Sequence, residues 1–246
     1  MSHKLCIDIG NTLQKVAVFS EKGDIVAWDE QPDFPIQKLE NLVCHYHITS
    51  SILSSVATER TDIEDFLGKR TRYTRFTHDT PLPIQISYKQ PETLGLDRIA
   101  NAVAAHSFFP TQNVLSIQCG TCLVMDFVTA AGHYLGGSIA PGLEMRLAAL
   151  QHYTQRLPKI EKRPINFYIG DTTEKSILSG VINGMCDEIN GAIQRYQDDF
   201  GEIKIMMTGG NCSDLQNSIK YSIFAAANVV LYGLYKILKF NDKGEP

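Results

Sequence analysis

Apolar residues along this chain fall into short runs separated by turns of Gly, Asn and Asp. Lys4-Leu-Cys-Ile-Asp-Ile9 is the first run, and it ends in Gly10-Asn11-Thr12, a tight-turn signal. Strand character resumes over residues 16–19, turns at 21–24 and resumes again over 25–28. The same pattern returns later. Residues 114–118 run into Cys119-Gly120-Thr121, 123–128 follow, and a turn at 130–132 leads to a third strand at 134–139. Gly10 and Gly120 lie 110 positions apart, close to half of the 246 residues. A period that long marks a duplicated domain rather than a solenoid, whose repeats run to about 20–50 residues.

Helical periodicity fills the rest of each half. Residues 36–47 and 62–69 read as short amphipathic helices, and 93–108 as a longer one. Asp171 with Glu174 forms a capping-box-like start for a helix through Gln197. Its apolar residues Ile177, Val181, Met185, Ile189 and Ile193 step by four, which sets one stripe against a core. Residues 203–207 read as a strand ending in Gly209-Gly210, and 225–240 as a final helix before a charged tail, 241–246, expected to fray. Each half is therefore expected to be a mixed sheet with helices packed on it. The expected halves are 1–107 and 108–246.

Composition narrows the classes. Apolar residues make up 43% of the chain and charged residues 20%, values of a globular protein. A balance of 23 Lys+Arg against 27 Asp+Glu, net −4, argues against a nucleic-acid surface, which needs a basic face. No apolar run reaches the roughly 18 residues of a membrane span, and the richest stretch, 223–238, is broken by Asn228 and Lys236. The first nine residues carry Asp8 where a signal peptide needs an apolar core. Six cysteines are too sparse for a disulfide scaffold, so a reduced, cytoplasmic protein is expected. Cys119-Gly-Thr-Cys122 has redox or zinc spacing, but no second pair accompanies it and a strand follows where a redox motif opens a helix. Buried thiols are the expectation there. Cys44-His45-Tyr46-His47 lacks a third ligand and is read as a helix end.

The glycine turns carry the candidate chemistry. Two β-turn-β units facing each other across a cleft form a phosphate clamp, because Gly lets backbone N–H groups approach an anion. Asp8, just before the first turn, is placed to hold Mg²⁺ directly or through water, and Lys15 to reach a phosphate as a point charge. Gly120-Thr121 forms the second phosphate turn, and Gly209-Gly210 a third loop toward the nucleotide. Between the halves, Tyr88, Pro91, Gly95, Asp97, Arg98 and Asn101 form a dense polar, turn-forming set. Two readings of Asp97-Arg98 stand open. The pair is either a solvated first helical turn, or a base for an attacking hydroxyl beside a bidentate anion ligand.

At these residues the chain resembles the type III pantothenate kinases of the actin-like, sugar-kinase and Hsp70-like ATPase superfamily. The matching pieces are Asp8-Ile-Gly-Asn-Thr12, then Tyr88…Pro91-x-x-Leu-Gly-x-Asp97-Arg98-x-Ala-Asn101 and Gly120-Thr121…Asp126. Gly136-Gly-x-Ile-Ala-Pro-Gly142, Leu157-Pro158, Ile169-Gly170…Thr173 and Thr208-Gly-Gly210 complete the set. The resemblance implies a duplicated actin-like (ribonuclease H-like) α/β fold, with mixed sheets flanked by helices and a central cleft. It also implies ATP-dependent phosphorylation of pantothenate, the first step of coenzyme A synthesis. Asp97 matches the family's proposed general base. Tyr88, Gly95, Leu96, Asp97, Arg98 and Thr173 match its pantothenate contacts. Asp8, Ile9, Gly10, Asn11, Thr12, Leu13, Gln14, Lys15 and Thr121 match its ATP-binding positions. A homodimer, Mg²⁺ and a monovalent cation, K⁺ or NH₄⁺, are further implications.

Three departures stand out. The family's Asp at the second phosphate loop, which helps bind the monovalent cation, is Gln118 here, and the Asn before Thr173 is Thr172. The C-terminal segment is loosened to Asn228-Val-Val-Leu-Tyr-Gly-Leu234. Gln118 favours an alternative from another class, a binding or regulatory protein with weakened catalysis. A phosphotransferase acting on a sugar or acetate is a third reading, and it lacks support from residues 88–101.

Overall fold

The computed structural model describes residues 2–10, 12–55 and 60–242. They divide into two compact units, Met1–Phe108 with Val229–Pro246, and Phe109–Asn228.

The first unit is built on a sheet ordered β3-β2-β1-β4-β5. Its strands are β1 (His3–Ile9), β2 (Gln14–Phe19), β3 (Ile25–Gln31), β4 (Ile48–Ser55) and β5 (Arg72–Arg75). The first three form an antiparallel meander, whereas β4 runs parallel to β1 and β5 parallel to β4. Alternation along β1 splits the faces. Leu5, Ile7 and Ile9 pack with Val16 and Val18 under α1 (Ile36–His45) and α2 (Thr61–Arg70). On the opposite face, Phe19 of β2 stacks on Tyr235 of α7 (Val229–Asn241), with ring centroids 4.6 Å apart. Helix α3 (Leu96–Phe108) packs beside α7. A two-residue strand, β6 (Gln85–Ile86), and a 3-10 turn, Pro91–Thr93, precede α3.

The second unit repeats the plan. Strands β7 (Asn113–Cys119), β8 (Cys122–Val128) and β9 (His133–Pro141) form the meander. Strand β10 (Ile203–Thr208) lies parallel to β7, and β11 (Phe224–Ala225) parallel to β10. Five strands of this six-stranded sheet, β9-β8-β7-β10-β11, thus follow the same order as β3-β2-β1-β4-β5. Helices α4 (Leu143–His152) and α5 (Thr173–Phe200) cover the sheet, and α6 (Cys212–Leu215) is a single turn after β10. The stripe Ile177, Val181, Met185, Ile189 and Ile193 is buried in this core as its spacing predicts.

Several expectations need correction. Residues 229–242 do not belong with the second half, because α7 packs on α3 and on the first sheet. That helix starts at Val229, not 225, since Phe224–Ala225 pairs with β10 and Asn228 takes a left-handed φ of 55°. Asp171 is not the cap of α5. Thr172 is, its hydroxyl accepting from Lys175 N–H at 3.2 Å, while Asp171 pairs with the Lys175 ammonium at 2.7 Å. The start of the supposed frayed tail is engaged, as Asn241 donates to Pro81 O at 3.0 Å and Lys4 binds Asp242. Residues 243–246 lie outside the described residues.

Candidate active site

One candidate acid, Asp8, lies at an end of the first sheet, within the electrostatic reach of the other, Asp97. Asp8 is the penultimate residue of β1, and its cross-strand neighbours are Lys15 on β2 and Ser54 on β4. Lys15 in turn faces Glu30 on β3, with Nζ 3.8 Å from its carboxylate. Directly opposed residues share a face, so Glu30, Lys15, Asp8 and Ser54 form one polar row on the side of α3 and α7. Asp8 is only 9% exposed, and its Oδ1 is buried without a hydrogen-bond partner. Burial above all, and then the charge of Asp97, push its carboxyl up to about 7, against the pull of Lys15.

Asp97 stands in the first turn of α3, where the helix dipole favours a carboxylate. A Cβ on Gly95 would lie 2.6 Å from Asp97 Oδ1, so the glycine makes room for that carboxylate. Arg98 is buried and Asn101 almost wholly so, while Asp97 between Leu96 and Arg98 is half-buried. Tyr88 is half-buried in the loop ahead of the 3-10 turn.

The first turn itself is closed by Gly10 N–H donating to Leu13 O at 3.1 Å. Thr12 is exposed and Leu13 half-buried, while Ile9 is a core side chain and contributes to the turn through backbone only. Gln14 is occupied elsewhere: its Oε1 accepts from Phe34 N–H at 2.9 Å and from Arg60 Nη1 at 3.3 Å. Asn11 lies outside the described residues.

In the second unit the other glycine loops converge. Gly120-Thr121 links β7 to β8, with Gly120 N–H on Cys122 O at 3.1 Å and Gly142 N–H on Thr121 O at 3.0 Å. Asn211 N–H donates to Cys119 O at 3.0 Å, which draws the loop after β10 onto the same turn. Gly209 has φ 104°, and a Cβ there would lie 2.4 Å from Cys119 O, so only glycine fits. A cavity of about 360 Å³ lies among Gly120, Thr121, Glu144, Lys162, Gly210 and Asn211. Lys162 Nζ is held there by Glu144 at 3.0 Å, by Asp214 at 3.1 Å and by Asn211. Thr173, exposed at the start of α5, lines a separate groove with Met145, Tyr153 and Thr172.

Sequence reasoning missed Ser54, Glu144, Lys162 and Asn211. Ser54 and Glu144 sit on β4 and α4, two elements the pattern did not predict. The step Leu143, Leu147, Leu150 was the available signal for α4. Among the described residues no group of three His, Cys, Asp or Glu is arranged for a metal, and no helix is long and apolar enough to cross a membrane. Cys119 ends a strand in the core. Burial chiefly, then the thiols of Cys212 and Cys186, push it up to about 12, too high for a redox nucleophile.

Two units that share one order of five strands, each with a glycine turn after its first strand, make up a duplicated actin-like α/β fold. The model for the type III pantothenate kinase family matches residues 4–195. The chain is 38% identical to a type III pantothenate kinase of Phocaeicola vulgatus, over 97% of this chain and 99% of that one. It is 42% identical to one of Christiangramia forsetii, over 96% and 98%. This chain belongs to the type III pantothenate kinase family. Solved structures with the same fold include a Campylobacter jejuni protein named for a Baf family of transcriptional activators, at TM-score 0.61 and 19% identity over 97% of this chain and 99% of that one. An activator of 2-hydroxyisocaproyl-CoA dehydratase from Clostridium difficile, with bound ADPNP, aligns at TM-score 0.53 and 13% identity over 99% and 98%.

Proposed function

We propose that Asp97 is the base and Asp8 the metal-facing carboxylate of the family's reaction, the ATP-dependent phosphorylation of pantothenate in coenzyme A biosynthesis. The observation that carries this reading is the placement of a buried carboxylate oxygen without a partner, on Asp8, within the field of a second carboxylate at a helix N-terminus. In the transfer, the pantothenate hydroxyl oxygen forms a bond to the γ-phosphorus as the bond to the β,γ-bridging oxygen breaks. ADP leaves with that oxygen, and the hydroxyl proton passes to Asp97. Tyr88, Gly95, Leu96, Arg98 and Thr173 are the proposed pantothenate contacts.

Lys15, the backbone from Ile9 to Leu13 and the Gly120-Thr121 turn are the proposed phosphate contacts. Gln14 joins them through its backbone, its side chain being engaged by Phe34 and Arg60. Asp8 fits a divalent cation because its orphaned Oδ1 is a hard oxygen donor. When bound with ATP, Mg²⁺ neutralises phosphate charge that builds up on transfer. Gln118 supplies an amide oxygen where a K⁺ or NH₄⁺ ion is expected, with no charge to hold it. That feature alone favours a regulatory role, and Asp8, Lys15, Asp97 and Arg98 argue for catalysis. We also propose a cytoplasmic homodimer.

Incubation of the purified chain with ATP, Mg²⁺, K⁺ and pantothenate should yield phosphopantothenate by mass spectrometry. Asp8→Ala should lose Mg²⁺-dependent ATP use while keeping pantothenate binding. No product under these conditions would leave the regulatory reading standing. Light scattering tests the dimer, and a mass of one chain at micromolar concentration would refute it.

A further inference from the structure

Ser54 has no role in the reading above, and its surroundings are unusual. It is wholly buried near the end of β4, and its Oγ has no hydrogen-bond partner. In the parallel β1–β4 register it stands directly beside Asp8, whose Oδ1 is in the same condition. Buried polar atoms without partners are few in folded proteins and unfavourable to the fold. Two of them side by side, on adjacent strands and one face, point to a shared occupant. Neither atom is hydrogen-bonded to the other. The occupant must satisfy a carboxylate oxygen and a hydroxyl at once. A water molecule carried by a divalent cation does so, because it donates to both oxygens and Mg²⁺ keeps several of its waters when bound.

We infer that Ser54 is a positioning residue for the hydrated divalent cation, holding through its hydroxyl a metal-bound water shared with Asp8. The inference rests on the reading of Asp8 as the metal-facing carboxylate. The remaining neighbours agree with it. Lys15, on the other side of Asp8, supplies one positive charge to the row but is drawn toward Glu30. Farther along β4 the same face serves structure instead, where Ser50 Oγ meets Lys4 and Asp242 at 3.0 and 3.1 Å. Ser54 is thus the serine of that face left without such a task.

The test is binding of Mn²⁺ with ADP to the full chain, followed by electron paramagnetic resonance, beside ADP binding in EDTA and thermal melting. Ser54→Ala should weaken Mn²⁺·ADP binding about tenfold, the scale set by groups that hold a metal's bound waters. ADP binding in EDTA should be unchanged, and the melting temperature equal or higher, since an unsatisfied hydroxyl has gone. Parent-like Mn²⁺·ADP binding in Ser54→Ala, with loss in Asp8→Asn, overturns the role of Ser54 and leaves that of Asp8 intact. Parent-like binding in Asp8→Asn removes the reading of Asp8 and the inference with it. Equal weakening of ADP with and without metal, or a melting point lowered by several degrees, overturns the inference in favour of a nucleotide contact or a structural hydroxyl.

Discussion

Asp97 raises the pKa of Asp8: after burial, its charge is the largest influence holding the Asp8 carboxyl at about 7. Two carboxylates in one field cannot both ionise freely, and the more buried one yields. A cation beside Asp8 removes that conflict.

Asp97→Asn keeps the shape of the first turn of α3 and removes the proposed base. Its kcat should fall about 10²-fold or more, with the KM for ATP little changed. Steady-state kinetics with pantothenate checks this. An unchanged kcat would hand the proton to another group.

The raised pKa of Asp8 makes stability depend on pH. Unfolded, the group ionises near 3.8, and folded near 7. Between these values the native chain binds more protons than the unfolded chain, so stability falls as pH rises. The contribution is full below 3.8 and lost as pH passes through 7. In metal-free buffer the parent should lose stability between about pH 4 and 8 relative to Asp8→Asn, read by urea unfolding in EDTA. Parallel profiles for the two proteins would place Asp8 in a wetter setting.

Gln14→Ala should act on the fold and not on the nucleotide. Its Oε1 accepts from the buried Phe34 N–H, and deletion strands that donor, at a cost of about 1–3 kcal/mol. The KM for ATP should stay near the parental value. A large rise in KM with unchanged stability would assign the side chain to ATP.

Gln118→Asp places a charge beside the Gly120-Thr121 turn, the proposed second phosphate contact. The half-saturating K⁺ concentration should fall, because a carboxylate attracts the ion more strongly than an amide oxygen. Initial rates during a K⁺ titration, in buffer whose other cations are bulky, give the comparison. Tight K⁺ activation of the parent, unimproved by the aspartate, would locate the ion elsewhere.

What the sequence determined by itself is local. The three-strand meander of each unit was legible because alternating apolar runs closed by glycine turns depend only on near neighbours. The α5 stripe was legible for the same reason, and the spacing from Tyr88 to Asn101 carried the family. Strand β4 was not legible, since Ile-Thr-Ser-Ser-Ile-Leu-Ser-Ser is half serine. Small polar residues become strand only when parallel neighbours on both sides bond their backbone, and that requires β1 and β5 in place. The return of α7 to the first unit was hidden likewise, because its apolar face would suit either sheet and only the assembled surface around Phe19 selects one. The chemistry of Asp8 belongs to the same class. A carboxylate in a sequence has an ordinary pKa. Tertiary packing alone buried it, set Asp97 against it and placed Ser54 at its side.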